Sequence, residues 1–413
     1  MKISVGTQNS DIPGSDNRSI QKAVDQVSAA GGGTVFLQAG TYVCHDSVRM
    51  KSHVRLMAEP ETVTLIPGPT PISYLAMDAD IGERQITPIS TEGFYPGLGV
   101  ILRDDDKPHA QARSSFQITR IENGTLYIDD WIVHDWIAEN GGRVIGYGPL
   151  IHSIEQEDIE IDGLILDGHR ADAPEELKTL RGQNLYCKRT RNITIRNCIS
   201  RNAYGDGFRF GTSSNVVIED CEVHHNRHYG VHPGSHTRPV RFSGLHIHHN
   251  EADGLYVCWG VQNSIFENCH IHHNGGRVFR SGFSIGHKDS DNRIEGNHIH
   301  DNAKYGIAIR QKTEANGAHR NHFINNRIEN NGTLPQNIPA EVLAWLPAPE
   351  KIGAGIDVQG ITQDLVFEKN IVRDTRQGNE RTQVMGIQLH EGLTGLVLKD
   401  NECTPPVNIP PAS

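Results

Sequence analysis

The stretch HIHHN occurs twice in this chain, at His246–Asn250 and at His270–Asn274. A close copy, EVHHN, ends at Asn226, so the final asparagines recur every 24 residues. Self-similarity at such an interval indicates a repeat architecture with one supersecondary unit per period. Paired histidines at this interval are also compatible with metal ligands or catalytic bases. Choosing among these interpretations requires knowing where each side chain points.

Each repeat unit has the same order: a glycine, a short alternating stretch, a polar turn, a second strand, a bend and a third strand. The bends fall on residue types that tolerate the left-handed backbone conformation, at intervals of 23, 24, 24 and 28 residues: Asn197, Asp220, Gly244, Asn268 and Gly296. Three short strands per turn of about 22–24 residues predict an all-β solenoid, a single-stranded right-handed parallel β-helix. Successive coils stack at about 4.8 Å, so equivalent residues form ladders along the axis.

The third strand of each unit carries the histidine pairs. Its alternation places Leu245 and Ile247 inward, so His246 and His248 point outward. Equivalent positions form two external ladders, one of Glu222, His246, His270 and His298, and one of His224, His248, His272 and His300. We interpret these ladders as neutral imidazoles stacked on a sheet face. The alternative is a metal site formed by histidines of two adjacent coils. Catalysis at these histidines is less favoured, because a flat sheet face offers no pocket.

The N-terminal segment predicts a helix that covers the open end of the solenoid. Helical spacing, with polar residues between, relates Ile20, Ala23, Val24 and Val27. A residue at 15–17 can serve as the N-cap, and Gly31–Gly33 end the helix. Such a cover is needed because unpaired strand edges associate with other chains.

The composition argues against several classes of function. A formal net charge of −11 disfavours general nucleic-acid binding, which needs a basic surface, although a local basic cleft for an anionic ligand remains compatible. No stretch approaches the roughly 18 apolar residues that span a bilayer, so no membrane partner is expected. Met1–Asn9 has no apolar core, which predicts that no signal peptide is present. Seven cysteines without a CxxC pair favour small buried thiols, as at Cys198, Cys221 and Cys269.

We interpret the whole chain of 413 residues as one β-helix domain with two insertions. Residues 70–148 break the coil rhythm and predict an inserted β-rich lobe with a hairpin turn at Asn123–Gly124. A second insertion, residues 332–352, is expected to lie near the binding cleft, and Pro339–Trp345 within it predicts a short helix. Long insertions on a solenoid usually form binding walls. Trp345 is therefore either a sugar-stacking residue or an anchor that packs the loop.

The N-terminal region and the coils together carry a family resemblance. An amphipathic helix, a glycine run, the segment TVFLQAGTY at Thr34–Tyr42 and then β-coils resemble the pectate-lyase-like superfamily of right-handed β-helix proteins. That superfamily includes polysaccharide lyases, pectin-type glycoside hydrolases, mannuronan C5-epimerase-like proteins and phage tailspikes. The resemblance extends over nearly the whole chain and implies the fold and a polysaccharide or oligosaccharide partner. It does not fix the reaction, because one fold supports many activities.

In that superfamily the binding cleft usually runs over the first strand of each coil. The outward residues of this strand are Tyr186, Arg209, His232, Tyr256, Ser284, Ala308, Asp357 and Gln388. The catalytic residues that we predict from this column and its flanks are His232, Tyr256, Arg209 and Asp253. The substrate-binding residues that we predict are Arg310, Lys288, Lys312, His287, Trp259, Tyr229 and Asp357. No metal is predicted here, because the clustered carboxylates that calcium prefers are lacking on this face, although the resemblance leaves calcium open.

Bases, a phenol and several cations in one groove suit an anionic sugar polymer. Arginine binds a carboxylate through two parallel hydrogen bonds and neutralises it. Neutralisation acidifies the proton next to the carboxyl group, and a positioned histidine or tyrosine can then remove it. The leading hypothesis is a lyase that cleaves a uronic-acid-containing glycan by β-elimination. Arg209 and Arg310 would bind the carboxylate, with His232 or Tyr256 as the base.

Two finer resemblances concern individual motifs. YGVHPGSH, which starts at Tyr229, is similar to the Tyr-Gly-x-Asp-Pro-His motif of mannuronan C5-epimerases, but His232 replaces its aspartate and Gly234 its histidine. SGFSIG, followed one coil later by YGIAIRQK, resembles the Gly-His-Gly-x-Ser-Ile-Gly and Arg-Ile-Lys motifs of pectin-type hydrolases. Ser281 stands where that histidine belongs, and only Asp253 aligns with the usual aspartates.

Two alternative functions remain beside the lyase. A glycoside hydrolase needs an acid paired with a base or nucleophile, and the available carboxylates are Asp206, Asp253, Asp357 and Glu391. A non-catalytic glycan-binding or tailspike-like module is the other alternative. Product analysis distinguishes them: a lyase makes an unsaturated end that absorbs in the near ultraviolet, a hydrolase makes only reducing ends, and a binding module makes neither.

Overall fold

The computed structural model describes residues 1–106, 115–172, 182–344 and 353–408, and it shows a coiled chain of short parallel strands. Each regular coil contributes one strand to each of three sheets, in which the strands of successive coils pair in parallel. The prediction of an all-β, single-stranded right-handed parallel β-helix is confirmed.

The predicted bends separate the second and third strands of the coils. Their φ angles are 51° at Asn197 and Asp220, 66° at Gly244, 53° at Asn268 and 65° at Gly296. Most residues with a Cβ are strained in this left-handed backbone region. Glycine, asparagine and aspartate adopt it more readily and therefore recur at the bends. The positive φ at each bend therefore explains why these residue types recur at a regular interval in the sequence.

Three faces follow from this winding. In the described residues, the first-strand sheet consists of Val48–Arg49, Ile151–Ile154, Leu185–Lys188, Phe208–Gly211, Val231–Gly234, Leu255–Tyr256, Phe283–Ile285, Tyr305–Ile309, Ala354–Val358 and Met385–Leu389. The second-strand sheet consists of Lys2–Gly6, Ile12–Pro13, Gly33–Leu37, Val54–Met57, Glu157–Asp162, Arg191–Arg196, Ser214–Glu219, Val240–Ser243, Ile265–Glu267, Arg293–Glu295, His322–Ile324, Val366–Glu368 and Val397–Lys399.

The third-strand sheet carries the histidine pairs. Its strands within the described ranges are Gly40–Cys44, Val63–Pro67, Leu164–Asp167, Ile199–Arg201, Glu222–His224, His246–His248, His270–His272, His298–His300, Arg327–Glu329, Ile371–Arg373 and Glu402–Thr404. A short parallel pair, Thr362–Gln363 with Leu393–Thr394, lies outside the three sheets.

Apolar side chains at equivalent positions fill the interior of the coils. Phe242 packs against Phe266 with ring centroids 5.5 Å apart, and Phe323 stacks on Phe367 at 4.8 Å. All four rings are buried, and burying one such side chain stabilises the fold by about 1.5–3 kcal/mol. The predicted buried thiols are confirmed at Cys198, Cys221 and Cys269.

A buried ladder of asparagines explains the final letter of HIHHN. The side-chain amide of Asn226 donates to the side-chain oxygen of Asn250, Asn250 donates to Asn274, and Asn274 donates to Asn302, at 2.9–3.0 Å. Each side-chain oxygen in turn accepts the backbone N–H of the preceding asparagine. The ladder satisfies polar groups that the turn would otherwise bury without partners.

The predicted N-terminal helix is present over Asn17–Ala29, and Asp16 is its N-cap. The Asp16 carboxylate accepts the backbone N–H of Ser19 at 2.9 Å. The apolar face is buried and packs against the strands Lys2–Gly6 and Gly33–Leu37. Among the described residues, no helix is long and apolar enough to cross a membrane.

The chain segment that follows the strand Val63–Pro67 and precedes the strand Ile151–Ile154 forms a separate antiparallel sheet. Its strands, in sheet order, are Ile72–Tyr74, Arg143–Gly146, Gly99–Arg103, Ser115–Glu122, Thr125–Ile128 and Gln85–Ile86. The hairpin turn at Asn123–Gly124 is confirmed, with φ of 49° and 78°. This sheet has its own apolar core, which includes the fully buried Trp136.

The second insertion contains the 3₁₀ turn Pro335–Asn337 and the short helix Ala340–Leu343, where a helix was predicted. Ile338 and Val342 pack against Phe279 on a neighbouring coil. Trp345 lies outside the described residues. The insertion is therefore anchored to the coils by two of its own aliphatic side chains.

Candidate active site

The parallel register aligns the first-strand column as one row of side chains. In order along the axis, the row contains Arg49, His152, Tyr186, Arg209, His232, Tyr256, Ser284, Ala308, Asp357 and Gln388. The pairing that was predicted from Tyr186 onwards is confirmed. Arg49 and His152 extend the row towards the N-terminus.

Asp206 lies at the centre of the predicted catalytic residues. One oxygen of its buried carboxylate lies 2.8 Å from Nδ1 of His232, and the other lies 2.8 Å from Nδ1 of His228. The backbone N–H of Tyr229 also donates to this carboxylate, at 3.3 Å. An ionised carboxylate can only accept hydrogen bonds. Both histidines therefore carry a proton on Nδ1, and a neutral His232 keeps a lone pair on Nε2.

The charges of this pair follow from its surroundings. Burial raises the pKa of Asp206, but the charges and hydrogen bonds of His232 and His228 outweigh it and hold that pKa well below its usual range. Burial lowers the pKa of His232, and attraction to Asp206 compensates only in part. Near pH 7 Asp206 is therefore ionised and His232 is neutral, which is the state that a general base needs.

Two tyrosine rings form a wall beside His232. Tyr229 and Tyr256 stack with their centroids 4.0 Å apart, and the His232 ring packs edge-on against them at 5.0 and 5.2 Å. The guanidinium of Arg310 lies 4.3 Å from the centre of the Tyr256 ring. Burial raises the pKa of Tyr256 to about 12. A protonated phenol thus lies next to a neutral imidazole, so an acid and a base are adjacent.

Two glycines open the surface beside Arg209 and His232. Gly211 and Gly234 pair on successive coils. A Cβ added to Gly234 would lie 3.1 Å from Nε2 of His232, and one added to Gly211 would lie 3.8 Å from the hydroxyl of Tyr186. Glycine at these positions lets another molecule approach the backbone closely. Nε2 of His232 therefore lies against backbone that carries no side chain, and the His232 side chain is 15% exposed.

A cavity of about 470 Å³ adjoins the row between the first-strand sheet and the antiparallel insertion. Three cationic side chains, Arg49, Lys188 and Arg209, line it, and Gln117 contributes from the insertion. His152 lies in the same wall, and burial, assisted by the charge of Arg49, lowers its pKa to about 4. The volume is in the range of small-ligand sites, and the cations favour an anionic occupant.

Two predicted site carboxylates are not exposed. Asp253 is 2% exposed and accepts the backbone N–H of Ser281 at 3.1 Å, and burial raises its pKa. Asp357 is 1% exposed and accepts hydrogen bonds from Nε2 of His390 and from Gln359, at 2.8 and 2.6 Å. Asp357 therefore belongs to the outward row, but it is not exposed, because neighbouring side chains cover and bond it.

The remaining predicted substrate-binding residues form a group on the C-terminal side. Trp259 is 58% exposed, and its ring lies 5.0 Å from that of His287. Lys288 is exposed and Lys312 is half-buried. Burial, together with the charges of these lysines and of Arg310, lowers the pKa of His287. An exposed indole offers a flat apolar face on which a sugar ring can stack.

Arg310 differs from its predicted role as a ligand for substrate. Its guanidinium donates to the hydroxyl of Ser284 and to the backbone carbonyl of Val257, both at 2.6 Å. It also lies 3.6 Å from the buried carboxylate of Asp289. These contacts tie Arg310 to the sheet, so Arg209 is the cation next to the base.

A family model described as "Right handed beta helix region" matches residues 183–372. The chain therefore has the right-handed parallel β-helix fold. No curated protein sequence matches it.

Several solved structures share the coils of this β-helix. The A-module of mannuronan C-5 epimerase AlgE4 from Azotobacter vinelandii has a TM-score of 0.60 and 16% identity, over 95% of this chain and 93% of that one. Polygalacturonase from Erwinia carotovora ssp. carotovora has a TM-score of 0.53 and 13% identity, over 100% and 96%. The Dettilon tailspike protein has a TM-score of 0.56 and 12% identity, over 93% and 63%. At these identities the likeness is one of fold.

The third-strand face of this β-helix carries one histidine ladder more than predicted. The two predicted ladders are confirmed by stacked rings 4.9–5.1 Å apart. The third ladder follows each strand and consists of His225, His249 and His273, with φ of 54° at each residue. Within the described ranges, every cluster of side chains with metal-ligating spacing lies on this face.

The sequence did not reveal several members of the site. Asp206 was considered only as a carboxylate for hydrolysis, yet it is the hydrogen-bond partner of His232, 26 residues away. The sequence did contain one signal. Asp206 directly precedes the glycine that begins its coil, and a residue at that position lies beside the outward residue of the next coil, here His232. Arg49 and His152 gave no such signal, because the insertion separates their strands from the repeats.

Proposed function

We propose that this protein is a polysaccharide lyase that cleaves a uronic-acid-containing glycan by β-elimination. The observation that carries the proposal is the 2.8 Å hydrogen bond between the Asp206 carboxylate and Nδ1 of His232. It holds the imidazole in one tautomer, with the lone pair on Nε2 beside Gly234. Removal of a proton next to a carboxyl group requires such a positioned, neutral base.

In the proposed reaction, Nε2 of His232 removes the proton on C5 of a uronate. The electron pair forms the double bond between C4 and C5, and the bond between C4 and O4 breaks. The leaving oxygen takes a proton from the phenol of Tyr256, which is protonated because burial raises its pKa to about 12. The Asp206 carboxylate stabilises the imidazolium until its proton passes to solvent, and the Tyr256 phenolate regains a proton from solvent before the next turnover. His232 is thus the base and Tyr256 the acid.

Arg209 is the cation best placed to bind the substrate carboxylate. It is the neighbour of His232 in the row, and its guanidinium lies 4.0 Å from Asp206. Two parallel hydrogen bonds from a guanidinium neutralise a carboxylate and so acidify the proton next to it. Lys188 and Arg49 continue the positive charge into the cavity of about 470 Å³, where neighbouring units of an anionic chain would bind.

A mannuronan-type C5-epimerase is the second candidate, because it shares the first step. Tyr229, Gly230 and Pro233 match the epimerase motif, and the ring of Tyr229 packs against His232 at 5.0 Å. An epimerase would return a proton to the opposite face of C5 instead of breaking the bond to O4. The two reactions therefore differ in their products and not in the base.

A glycoside hydrolase fits these carboxylates less well. Asp253 and Asp357 are at most 2% exposed, and two histidines hold Asp206 ionised. Hydrolysis needs an accessible acid together with a base or nucleophile on either side of the glycosidic bond. The groove instead presents an imidazole, a phenol and a guanidinium.

Incubation with a panel of uronate-containing and neutral polysaccharides tests the proposal. Near-ultraviolet absorbance reports unsaturated ends, and a colour reaction reports reducing ends. We expect unsaturated ends from at least one uronate polymer and none from the neutral polymers. Reducing ends without unsaturation would identify a hydrolase, and a change in uronate stereochemistry without cleavage would identify an epimerase. If no polymer is changed, the protein is a binding module.

A further inference from the structure

We propose that the third-strand face binds transition-metal ions through its histidine ladders, with His270, His298 and His300 as one set of ligands. One ligand atom from each of these side chains lies within 4.8 Å of the others. Nε2 of His270 lies 2.7 Å from Nε2 of His300, and the ring of His270 stacks on that of His298 at 5.1 Å. Imidazole suits Zn²⁺, Ni²⁺ and Cu²⁺.

Asp301 determines which nitrogen of His300 faces the other ligands. Nδ1 of His300 lies 2.6 Å from the Asp301 carboxylate. Because the carboxylate accepts, Nδ1 carries the proton and Nε2 turns a lone pair towards His270. Metal-bound histidines usually donate their other N–H to a carboxylate or carbonyl in this way, which orients the ring and strengthens it as a ligand.

The three ligand nitrogens, which lie within 4.8 Å of one another, must adjust their spacing to hold an ion. Zn–N bonds of about 2.0–2.1 Å in a tetrahedral site separate two ligand nitrogens by about 3.3 Å. The pair formed by His270 and His300, now 2.7 Å apart, must therefore open by about half an ångström. The side chains of His298 and His300 are 38% and 18% exposed. Partly exposed rings can rotate by this amount, and solvent can enter to complete the coordination.

The same arrangement recurs along the ladders. Equivalent groups are His246, His270 and His272 one coil earlier, and Glu222, His246 and His248 one coil before that. A fourth group consists of His224, His225 and His248. Neighbouring groups share a histidine, and one nitrogen binds one ion. No more than two of the four groups can therefore be filled together, and we expect two ions per chain at saturation.

These ligands belong to the third-strand sheet, whereas the proposed active site lies on the first-strand sheet. The proposal is therefore independent of the lyase function, and its test needs no substrate. Protein without an affinity tag, freed of metal by a chelator, is dialysed against Zn²⁺ or Ni²⁺ at near-neutral pH. Elemental analysis then gives the number of ions bound at each free concentration.

A series of variants makes the stoichiometry decisive. Wild-type protein should bind two ions, and His270→Gln, which leaves only two groups that share His248, should bind one. The triple variant His246→Gln, His248→Gln and His270→Gln breaks all four groups and should bind none. In the double variant His246→Gln, His248→Gln, which leaves only the group with His300, Asp301→Asn should weaken the single ion about 10–100-fold, because it removes only the orienting carboxylate. His322→Gln, an exposed histidine on the second-strand sheet, is the matched control and should bind two.

Circular dichroism and thermal unfolding first establish that each variant is folded. If His270→Gln does not fold, Asp301→Asn still tests the group of His270, His298 and His300, because it leaves these three rings in place. Nitrogen hyperfine splitting in the electron paramagnetic resonance spectrum of the Cu²⁺ form should be present in wild type and lost in the triple variant. Equal binding by wild type and the triple variant, or no binding by wild type, overturns the proposal.

Discussion

The carboxylate of Asp206 accepts a hydrogen bond from Nδ1 of His232 at 2.8 Å, across the boundary between two coils. The residues are 26 positions apart in the sequence, and the parallel register of the coils brings them together. Because the carboxylate fixes the tautomer, His232 keeps its lone pair on Nε2. A residue of the outward row thereby acquires the protonation state of a general base.

Replacement of His232 should remove most turnover without unfolding the protein. We expect His232→Gln to lower the rate of product formation about 10²–10⁴-fold, because the proposed general base is lost. The side chain is 15% exposed and belongs to no apolar core, so the melting temperature should change little. His322→Gln is the control and should keep full activity. A His232→Gln variant with more than half the wild-type rate would exclude His232 as the base.

The pH profile should show where His232 gains its proton. Burial lowers its pKa below the ordinary 6.5, so kcat/KM should be constant near pH 7 and fall as the pH drops below about 6.5. Tyr256 is the proposed acid, and its pKa of about 12 predicts no alkaline decline from this group in the usual assay range. In Asp206→Asn the imidazolium loses its carboxylate, which should move the acidic decline to lower pH. An acidic decline centred above pH 7 in wild type contradicts this assignment.

Arg209 should distinguish anionic from neutral ligands. Loss of charged hydrogen bonds worth about 1.5–3 kcal/mol predicts that Arg209→Ala lowers kcat/KM for a uronate polymer about 10–100-fold. Affinity for a neutral analogue of the same linkage should stay the same. Arg189→Ala is the control, because Arg189 is exposed and pairs with Glu155. Equal losses for the two ligands would mean that Arg209 only supports the fold.

Asp253 should tolerate conversion to asparagine. Burial raises the pKa of Asp253, and asparagine has nearly the shape of a protonated aspartate. We expect Asp253→Asn to lower the rate by less than about tenfold, whereas a missing general acid or base costs about 10²–10⁴-fold. Rates measured with the polymer that the wild type cleaves test this. A loss of about 10³-fold would favour a hydrolase that uses Asp253.

The asparagine ladder should contribute strongly to stability. The amide of Asn274 donates to Asn302 and to the backbone carbonyls of Ile247 and His272, at 2.9–3.1 Å. Asn274→Ala leaves these buried groups without partners and should lower the free energy of unfolding by about 2–4 kcal/mol. Chemical denaturation measures the change, with Gln26→Ala on the exposed face of the helix as the control. A change below about 0.5 kcal/mol would show that water replaces the amide.

The β-helix could be predicted because each repeat contains a bend with a positive φ, and only a few residue types adopt that backbone angle readily. The bends at Asn197, Asp220 and Gly244 recur where φ is positive, and few residue types meet that requirement. Alternation within a strand then placed Arg209 and His232 in one outward row, since successive side chains of a strand point to opposite faces.

Partnerships between coils could not be read in the same way. The side chain of Asp206 lies outside a strand, so alternation does not tell where it points. The third histidine ladder was not predicted, because its members also lie outside strands. His249, for example, follows the strand His246–His248 and has a φ of 54°. Burial of Asp357 depends on His390 and Gln359, which bond it from neighbouring positions. Such contacts need the three-dimensional arrangement of side chains.

Incubation of wild-type protein and His232→Gln with a uronate polymer in deuterium oxide tests the removal of the C5 proton most directly. We expect the wild type to form unsaturated chain ends, detected by near-ultraviolet absorbance and mass spectrometry, and the variant to form them about 10²–10⁴-fold more slowly. Deuterium at C5 without cleavage would keep His232 as the base and assign the epimerase reaction. Reducing ends without unsaturation or deuterium at C5, or equal rates from the two proteins, would contradict a proton-abstracting role for His232.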